Sequence, residues 1–168
     1  MKLGLENFEQ KYAEADALEA SGRHQQAFEI FLSLAENGHV DSMCRVGSLY
    51  ENGEGVEANF ERAVYWERRA SDSGSFIGTF NLGVTLRKYG RLRDARYLFE
   101  KCLENGIGDA AIELAKMYLV SDKELDTVEG YLKRALSAND LLEADYEEAK
   151  KMMKELKLLR EGGLTSSS

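Results

Sequence analysis

A small turn-forming residue recurs at nearly constant spacing along this chain, and that spacing constrains the fold more than any other feature. Gly38, Gly74 and Gly106 are followed by Asn139, at intervals of 36, 32 and 33 residues. Gly and Asn both tolerate the left-handed backbone conformation that ends many helices. A period of this length is typical of a helix pair that repeats along a chain. The sequence therefore predicts stacked helix-turn-helix units.

The periodicity of the apolar residues predicts nine helices, and no strand is expected. The helices are predicted at about 6–20, 24–37, 41–52, 59–73, 76–88, 92–105, 109–120, 125–138 and 141–160. Asp41, Asn59 and Asp140 are predicted N-caps, because short polar side chains accept hydrogen bonds from the first free backbone amides of a helix. The chain has no proline, which favours helices joined by turns of Gly, Asn and Asp. The predicted fold class is all-α.

One stretch, from Val46 to Gly74, carries a recognisable pattern of small and aromatic residues. The pattern consists of Val46, Gly47, Tyr50, Gly53, Gly55, Val56, Ala63, Trp66, Ala70 and Gly74. It resembles the Sel1-like repeat, and the strong unit covers residues 39–74. The units around Gly22 and Gly90 lack the Gly-x-Gly-Val loop and resemble the tetratricopeptide repeat instead. The resemblance implies a right-handed solenoid of about four helix pairs. From the length of the chain we expect a single domain at 1–161, and after the last predicted helix a disordered tail at 162–168.

The last predicted helix places seven apolar residues along one stripe and charged residues on the other. The stripe consists of Leu142, Tyr146, Ala149, Met152, Met153, Leu156 and Leu159. This pattern is typical of a helix that caps a solenoid, with its apolar side on the final repeat and its charges toward water. An amphipathic segment for a membrane or a second chain is the alternative interpretation.

Residues that commonly carry catalysis or metal binding are sparse. Cys44 and Cys102 are isolated, and neither His24 nor His39 has a neighbour in sequence at metal-ligand spacing. The loop Gly53–Gly55 is followed by no Lys-Ser or Lys-Thr, which a phosphate-binding loop requires. The sequence therefore predicts a protein that is not an enzyme, with no catalytic residue, cofactor or metal.

The net charge of the chain argues against nucleic acid as a partner, and the lengths of its apolar segments argue against a membrane span. Its formal net charge of −8 opposes non-specific attraction to nucleic acid. A local basic run, from Arg87 to Arg96, is interpreted as a solvated turn or a surface for an acidic protein partner. Because no segment reaches about 18 consecutive apolar residues, no membrane span is predicted. We expect a cytoplasmic protein.

The register of the first helices predicts a binding face. Ala15, Gly47, Gly83 and Ala115 are set as equivalent buried positions, and related solenoids line a concave groove with their first helices. On this analogy the face consists of residues three before, one after and four after each small residue. These residues are Tyr12, Asp16, Glu19, Cys44, Ser48, Glu51, Phe80, Val84, Arg87, Ile112, Lys116 and Leu119.

Within this face, Phe80, Val84 and Ile112 are predicted to form an apolar anchor flanked by Arg87 and Lys116. Such a site suits a peptide or protein segment that combines an apolar group with acids. In the alternative interpretation the final helix folds back over these residues and makes them part of the core.

The predicted function is that of a protein-protein interaction module, which acts as an adaptor or regulator by binding another protein or peptide through the concave face. The resemblance also implies a second role, since Sel1-like repeats occur in immunity proteins that neutralise bacterial toxins. A structural homo-oligomer is a third alternative, with self-association through an uncapped end or the last helix. Monomer and dimer both remain open.

Overall fold

A computed structural model describes residues 5–119, 124–139 and 141–164, and side chains are described for 7–119, 124–139 and 141–161. The described residues form nine helices and no strand. The helices are α1 (Leu5–Ala20), α2 (His24–Glu36), α3 (Val40–Asn52), α4 (Phe60–Asp72), α5 (Phe76–Lys88), α6 (Leu92–Glu104), α7 (Asp109–Leu119), α8 (Leu125–Leu136) and α9 (Glu143–Leu164). The all-α prediction is confirmed, and the predicted helices agree with the observed ones to within a few residues.

The helices group into two compact units, Met1–Ala95 and Arg96–Ser168. In the first unit each helix packs against the next one along the chain, and α3 also packs directly against α5. Helices α3 and α5, the first helices of two successive pairs, are therefore neighbours, as the helix-pair prediction requires. In the second unit α7 packs against α8, and α9 packs against both. The single domain predicted at 1–161 stays a prediction.

Glycines in the left-handed conformation end the helix pairs. Gly38, Gly74 and Gly106 have φ angles of 96°, 89° and 87°, so three of the four predicted anchors are confirmed. Asn139 does not repeat this geometry, because positive φ angles are confined to glycines among the described residues. Helix α8 instead ends at Leu136, and its C-cap residue Ser137 keeps a right-handed conformation.

The predicted N-caps behave differently from one another. Asn59 caps α4, and its Oδ1 accepts a hydrogen bond of 2.9 Å from the backbone N–H of Arg62. The prediction for Asp41 is wrong, because α3 begins one residue earlier and His39 occupies its N-cap position. Asp41 lies in the first turn, where its charge favours the helix dipole. Asp140 lies outside the described residues.

The small residues that set the predicted register are all buried. Ala15 and Ala115 have no exposed surface, and Gly47 and Gly83 are also buried. They allow close approach of the helix that packs on each of them, because a larger side chain would hold the two backbones apart. In the first unit, the aromatic core lies around Phe31, which has no exposed surface and packs edge to face with Tyr12 at a centroid distance of 5.2 Å.

Helix α9 covers the second unit with a shorter apolar stripe than predicted. Ala149, Met152 and Leu156 are buried, whereas Leu142 and Leu159 are exposed. Because α9 begins at Glu143, Leu142 precedes the helix and cannot share its buried side. The helix continues to Leu164, so the first three residues of the predicted tail have a helical backbone. Residues 165–168 lie outside the described residues.

Candidate protein-binding cleft

Three first helices of the first unit, α1, α3 and α5, line an open cleft of about 240 Å³. We call it the inner cleft. Its lining residues are Tyr12, Asp41, Cys44, Arg45, Ser48, Ile77 and Asn81. The predicted face runs over these same three helices in the first unit. Tyr12, Cys44 and Ser48 belong to both sets of residues.

The other four lining residues follow a simple rule that the prediction did not include. Asp41 and Ile77 lie six residues before the buried glycines Gly47 and Gly83, and Arg45 and Asn81 lie two residues before them. Positions six, three and two before a given residue lie on one side of a helix, because the second and third of them follow the first by three and four residues. The cleft therefore lies nearer the amino-terminal ends of α3 and α5 than the predicted rows do.

The floor of the inner cleft combines polar and apolar groups. The Sγ atom of Cys44 lies 3.5 Å from the Oγ atom of Ser75, and Nδ2 of Asn81 lies 3.5 Å from the Oγ atom of Ser48. Ile77 is exposed at its rim, with 63% of its surface accessible. An apolar side chain that enters the cleft would thus meet Ile77, while Ser48 and Asn81 offer hydrogen bonds.

The acidic row of the predicted face is largely neutralised by neighbouring cations. Glu19 forms an ion pair with Arg45, which joins α1 to α3. Glu51 forms one with Lys88 at 2.6 Å between Oε1 and Nζ, which joins α3 to α5. Asp16 is exposed. The acids at the amino-terminal end of the face thus hold adjacent first helices together as well as contributing charge.

The remaining predicted residues divide between the two units. Phe80, Val84 and Arg87 are half-buried on α5, outside the lining of the inner cleft. In the second unit, Ile112 is buried and Leu119 is half-buried. The apolar anchor that would combine Phe80, Val84 and Ile112 draws on both units and stays a prediction.

Lys116, which was predicted to flank that anchor, contacts the last helix. Its Nζ atom lies 3.0 Å from Oε1 of Glu113 and 3.0 Å from Oε2 of Glu148 on α9. Helix α9 therefore covers at least this part of the predicted face in the second unit. This contact agrees with the alternative interpretation, in which the final helix lies over residues of α7.

Neither cysteine of the chain shows the lowered pKa of an activated nucleophile. Burial raises the pKa of the Cys44 thiol, and it raises that of Cys102 to about 11. A thiol with a raised pKa holds little thiolate at neutral pH. The ring of His39 contacts the rings of Phe8 and Tyr12 in tilted arrangements, and its Nδ1 lies 2.8 Å from the Oγ atom of Ser42. These contacts orient the imidazole toward Ser42.

A second, outer cleft of about 370 Å³ lies on α2 and α4 and was not predicted. Arg62 donates a hydrogen bond of 2.8 Å to the hydroxyl of Tyr50, and the guanidinium of Arg69 lies 5.0 Å from the ring centroid of Trp66. Both arginines are thus held over aromatic rings.

No described helix of the chain combines the length and apolar character needed to cross a bilayer.

The geometry defines a class of protein: an all-α solenoid of helix pairs with a cleft on its first helices. Residues 40–75 of this chain match the family model of the Sel1 repeat. This segment coincides with the unit that the sequence pattern identified, and that prediction is confirmed. No curated protein matches the chain significantly.

Solved structures with the same fold support this classification. A Sel1 repeat protein from Oxalobacter formigenes has a TM-score of 0.64 and 23% identity, over 77% of this chain and 56% of that one. The protein c5321, a protective antigen of uropathogenic Escherichia coli with an SLR fold, has a TM-score of 0.60 and 16% identity, over 80% and 34%. Immunity protein Pa5087 from Pseudomonas aeruginosa has a TM-score of 0.57 and 24% identity, over 80% and 54%.

The chain thus matches between about a third and just over half of the length of these three structures. At identities below 25% the similarity shows the fold alone. Functional inference for this chain therefore has to come from its own clefts, charges and contacts.

Proposed function

We propose that this chain is a non-enzymatic protein-interaction module that holds a segment of a partner protein in the inner cleft. The observation that supports it is the cleft itself, which is open and brings α1, α3 and α5 together around Tyr12, Ser48 and Ile77. At about 240 Å³ it is smaller than the pockets of roughly 300–1,000 Å³ that enclose small-molecule ligands. A cleft of this size suits one anchoring side chain of a longer segment.

The chemistry of the cleft indicates what that anchor would be. Ile77 and the ring of Tyr12 offer apolar surface, and Ser48 and Asn81 offer hydrogen bonds beside it. Anchors of this kind contribute most of the binding energy when they are fully desolvated in a central pocket. The partner segment would therefore insert an apolar side chain and place backbone or polar groups against Ser48 and Asn81.

The setting of the module is proposed to be the cytoplasm, where it would act as an adaptor or regulator. Cys44 is a buried free thiol, and free thiols are typical of reducing compartments. A second candidate is an immunity protein that neutralises a toxin by direct binding. It is supported by the similarity of 80% of the chain to the fold of immunity protein Pa5087.

Blocking the inner cleft tests the proposed function. Ser48→Trp would fill the cleft with an indole, whereas Gln26→Trp adds the same group at an exposed position of α2. A partner captured with the wild-type chain in the organism that carries the gene would be identified by mass spectrometry and titrated against all three chains. We expect Ser48→Trp to weaken binding at least tenfold, and Gln26→Trp to leave it unchanged. Equal affinity for both variants, with unchanged circular dichroism, would exclude the inner cleft.

The immunity role is tested by protection of cells. If it is correct, the chain protects sensitive cells from a toxin encoded beside its gene and forms a one-to-one complex with that toxin. Ser48→Trp would then abolish both protection and the complex. If the chain binds a partner but does not protect cells from the toxin, the result supports the adaptor role and excludes the immunity role.

A further inference from the structure

Three side chains with metal-binding atoms converge at one end of the first unit. They are Glu19 in the last turn of α1, His24 at the start of α2 and Glu54 in the loop that follows α3. One ligand atom from each lies within 4.8 Å of the other two. Because the residues are 5 and 30 positions apart in the chain, their spacing in sequence gave no sign of this cluster.

The backbone holds the loop of Glu54 against the start of α2. Gly53 caps α3 in the left-handed conformation, with a φ of 73°, and donates a hydrogen bond of 2.9 Å to the carbonyl of Leu49. Gly55 has a φ of 70° and lies so close to the backbone carbonyl of His24 that a Cβ atom would overlap it. Glu54 lies between these two fixed glycines, so its position beside His24 follows from the packing of the loop.

Glu19 contributes a carboxylate that is only half used by the protein. One of its oxygens, Oε2, pairs with Arg45. Its other oxygen, Oε1, is buried and accepts no hydrogen bond among the described residues. A buried carboxylate oxygen without a partner is costly, and a cation would satisfy it. The two carboxylates exceed the single charge of Arg45, so the cluster attracts cations.

We propose that Glu19, His24 and Glu54 form a binding site for Zn²⁺, with solvent as the fourth ligand. An imidazole nitrogen in the ligand set favours zinc over Ca²⁺ and Mg²⁺, which prefer oxygen ligands. Zinc bonds of about 2.1 Å in a tetrahedral site place ligand atoms roughly 3.4 Å apart. His24 and Glu54 are exposed, so rotation of their side chains closes the remaining gap. The bound ion would join α1, α2 and the loop after α3.

Titration of the tag-free chain with Zn²⁺, followed by calorimetry, tests the proposal. We expect one ion per chain, and a loss of affinity of at least tenfold in His24→Ala and in Glu54→Gln. Glu57→Gln is the matched control, because it removes an exposed carboxylate from the same loop, and it should bind like the wild-type chain. Substituted Co²⁺ should give the intense visible absorption of a four-coordinate site, and His24→Ala should lose it.

Thermal unfolding with and without Zn²⁺ gives an independent measurement. The ion should raise the melting temperature of the wild-type chain and of Glu57→Gln, and leave that of His24→Ala unchanged, because a ligand stabilises only the state that binds it. Wild-type affinity in both His24→Ala and Glu54→Gln would overturn the proposal. Absence of binding by the wild-type chain would overturn it as well.

Discussion

Gly47 of α3 lies directly against Glu67 of α4, since a Cβ atom on Gly47 would be 2.5 Å from the Cγ atom of Glu67. Glu67 has no exposed surface, and its Oε1 accepts a hydrogen bond of 3.1 Å from Thr85 on α5. Its other oxygen is buried and has no hydrogen-bond partner within the part of the chain that the structure describes. A glycine on α3 thus makes room for a carboxyl group in the core between three helices.

Gly47→Ala should destabilise the fold. The added methyl group would overlap the Glu67 side chain close to its backbone, where Glu67 has little freedom to move. Overpacking of this kind costs about 1–3 kcal/mol, which exceeds the gain of about 1 kcal/mol from replacing a helical glycine. Urea unfolding at neutral pH measures the difference.

Gly130→Ala is the control for this substitution. It is also a helical glycine, on α8, but a Cβ atom there meets none of the described residues within 4 Å. Alanine at this position should stabilise the second unit by roughly 0.5–1 kcal/mol. If Gly47→Ala were also stabilising, the close contact with Glu67 would not exist in solution.

Stability should fall as pH rises from about 5 to 8, because burial raises the pKa of Glu67 to about 8. In this range the folded chain keeps a proton on Glu67 that the unfolded chain, with an ordinary carboxyl pKa, has lost. Each pH unit then removes up to about 1.4 kcal/mol of stability. Below this range Glu67 is protonated in both the folded and the unfolded chain, and its contribution to stability is fully present.

Glu67→Gln isolates this effect, because the amide keeps the shape of the protonated acid and does not ionise. Its free energy of unfolding, measured by urea titration at several pH values, should exceed that of the wild-type chain by a margin that grows from pH 5 to pH 8. Parallel profiles for the two chains would mean that Glu67 is already ionised in the folded state at pH 5.

The helical architecture was predictable because it depends on local signals. Apolar periodicity and turn glycines such as Gly38 and Gly74 act within one or two helices, and the buried small residues at Gly47 and Gly83 set the register correctly. The sequence did not predict the environment of Glu67, which occupies the position that Phe31 and Phe99 occupy in other units. Only the packing shows that Gly47 makes room for it.

The inner cleft was predictable in part, for a geometric reason. Tyr12, Cys44 and Ser48 follow from the register of the first helices together with the analogy to related solenoids. Ile77 and Asn81 were missed, because the depth at which a cleft lies along two packed helices depends on how the helices are offset. The ion pair between Glu19 and Arg45 was missed for a related reason, since the direction of a long side chain depends on the neighbouring helix.

Asn59→Ala should cost about 1 kcal/mol of stability, with a range of roughly 0.5–2 kcal/mol. The substitution removes the side-chain oxygen that accepts the hydrogen bond from the N–H of Arg62. Asp41→Ala is the matched comparison, because Asp41 lies in a first turn and is not the N-cap residue of its helix. Its loss should cost only the interaction with the helix dipole, about 0.3–1 kcal/mol. Thermal and urea unfolding measure the loss of stability in each variant. A larger loss for Asp41→Ala than for Asn59→Ala would contradict the assigned N-caps.

Gly55→Ala should be the most damaging glycine substitution in the loop after α3. It combines a positive φ of 70° with direct overlap of the new Cβ atom and the backbone carbonyl of His24. Backbone atoms cannot rotate away as a side chain can, so the loop or the start of α2 has to shift. Gly74→Ala separates the two effects, because Gly74 also has a positive φ, of 89°, but a Cβ atom there meets nothing within 4 Å.

Gly74→Ala should therefore cost only the left-handed strain, about 1–2 kcal/mol, and Gly55→Ala should cost clearly more in urea unfolding. The difference between them measures how firmly the loop is held against α2. Gly55→Ala should also weaken any Zn²⁺ binding, because the same shift would carry Glu54 away from His24, whereas Gly74→Ala should leave that binding unchanged. Equal losses of stability in the two variants would mean that the loop moves freely away from His24, and the position of Glu54 would then no longer follow from packing.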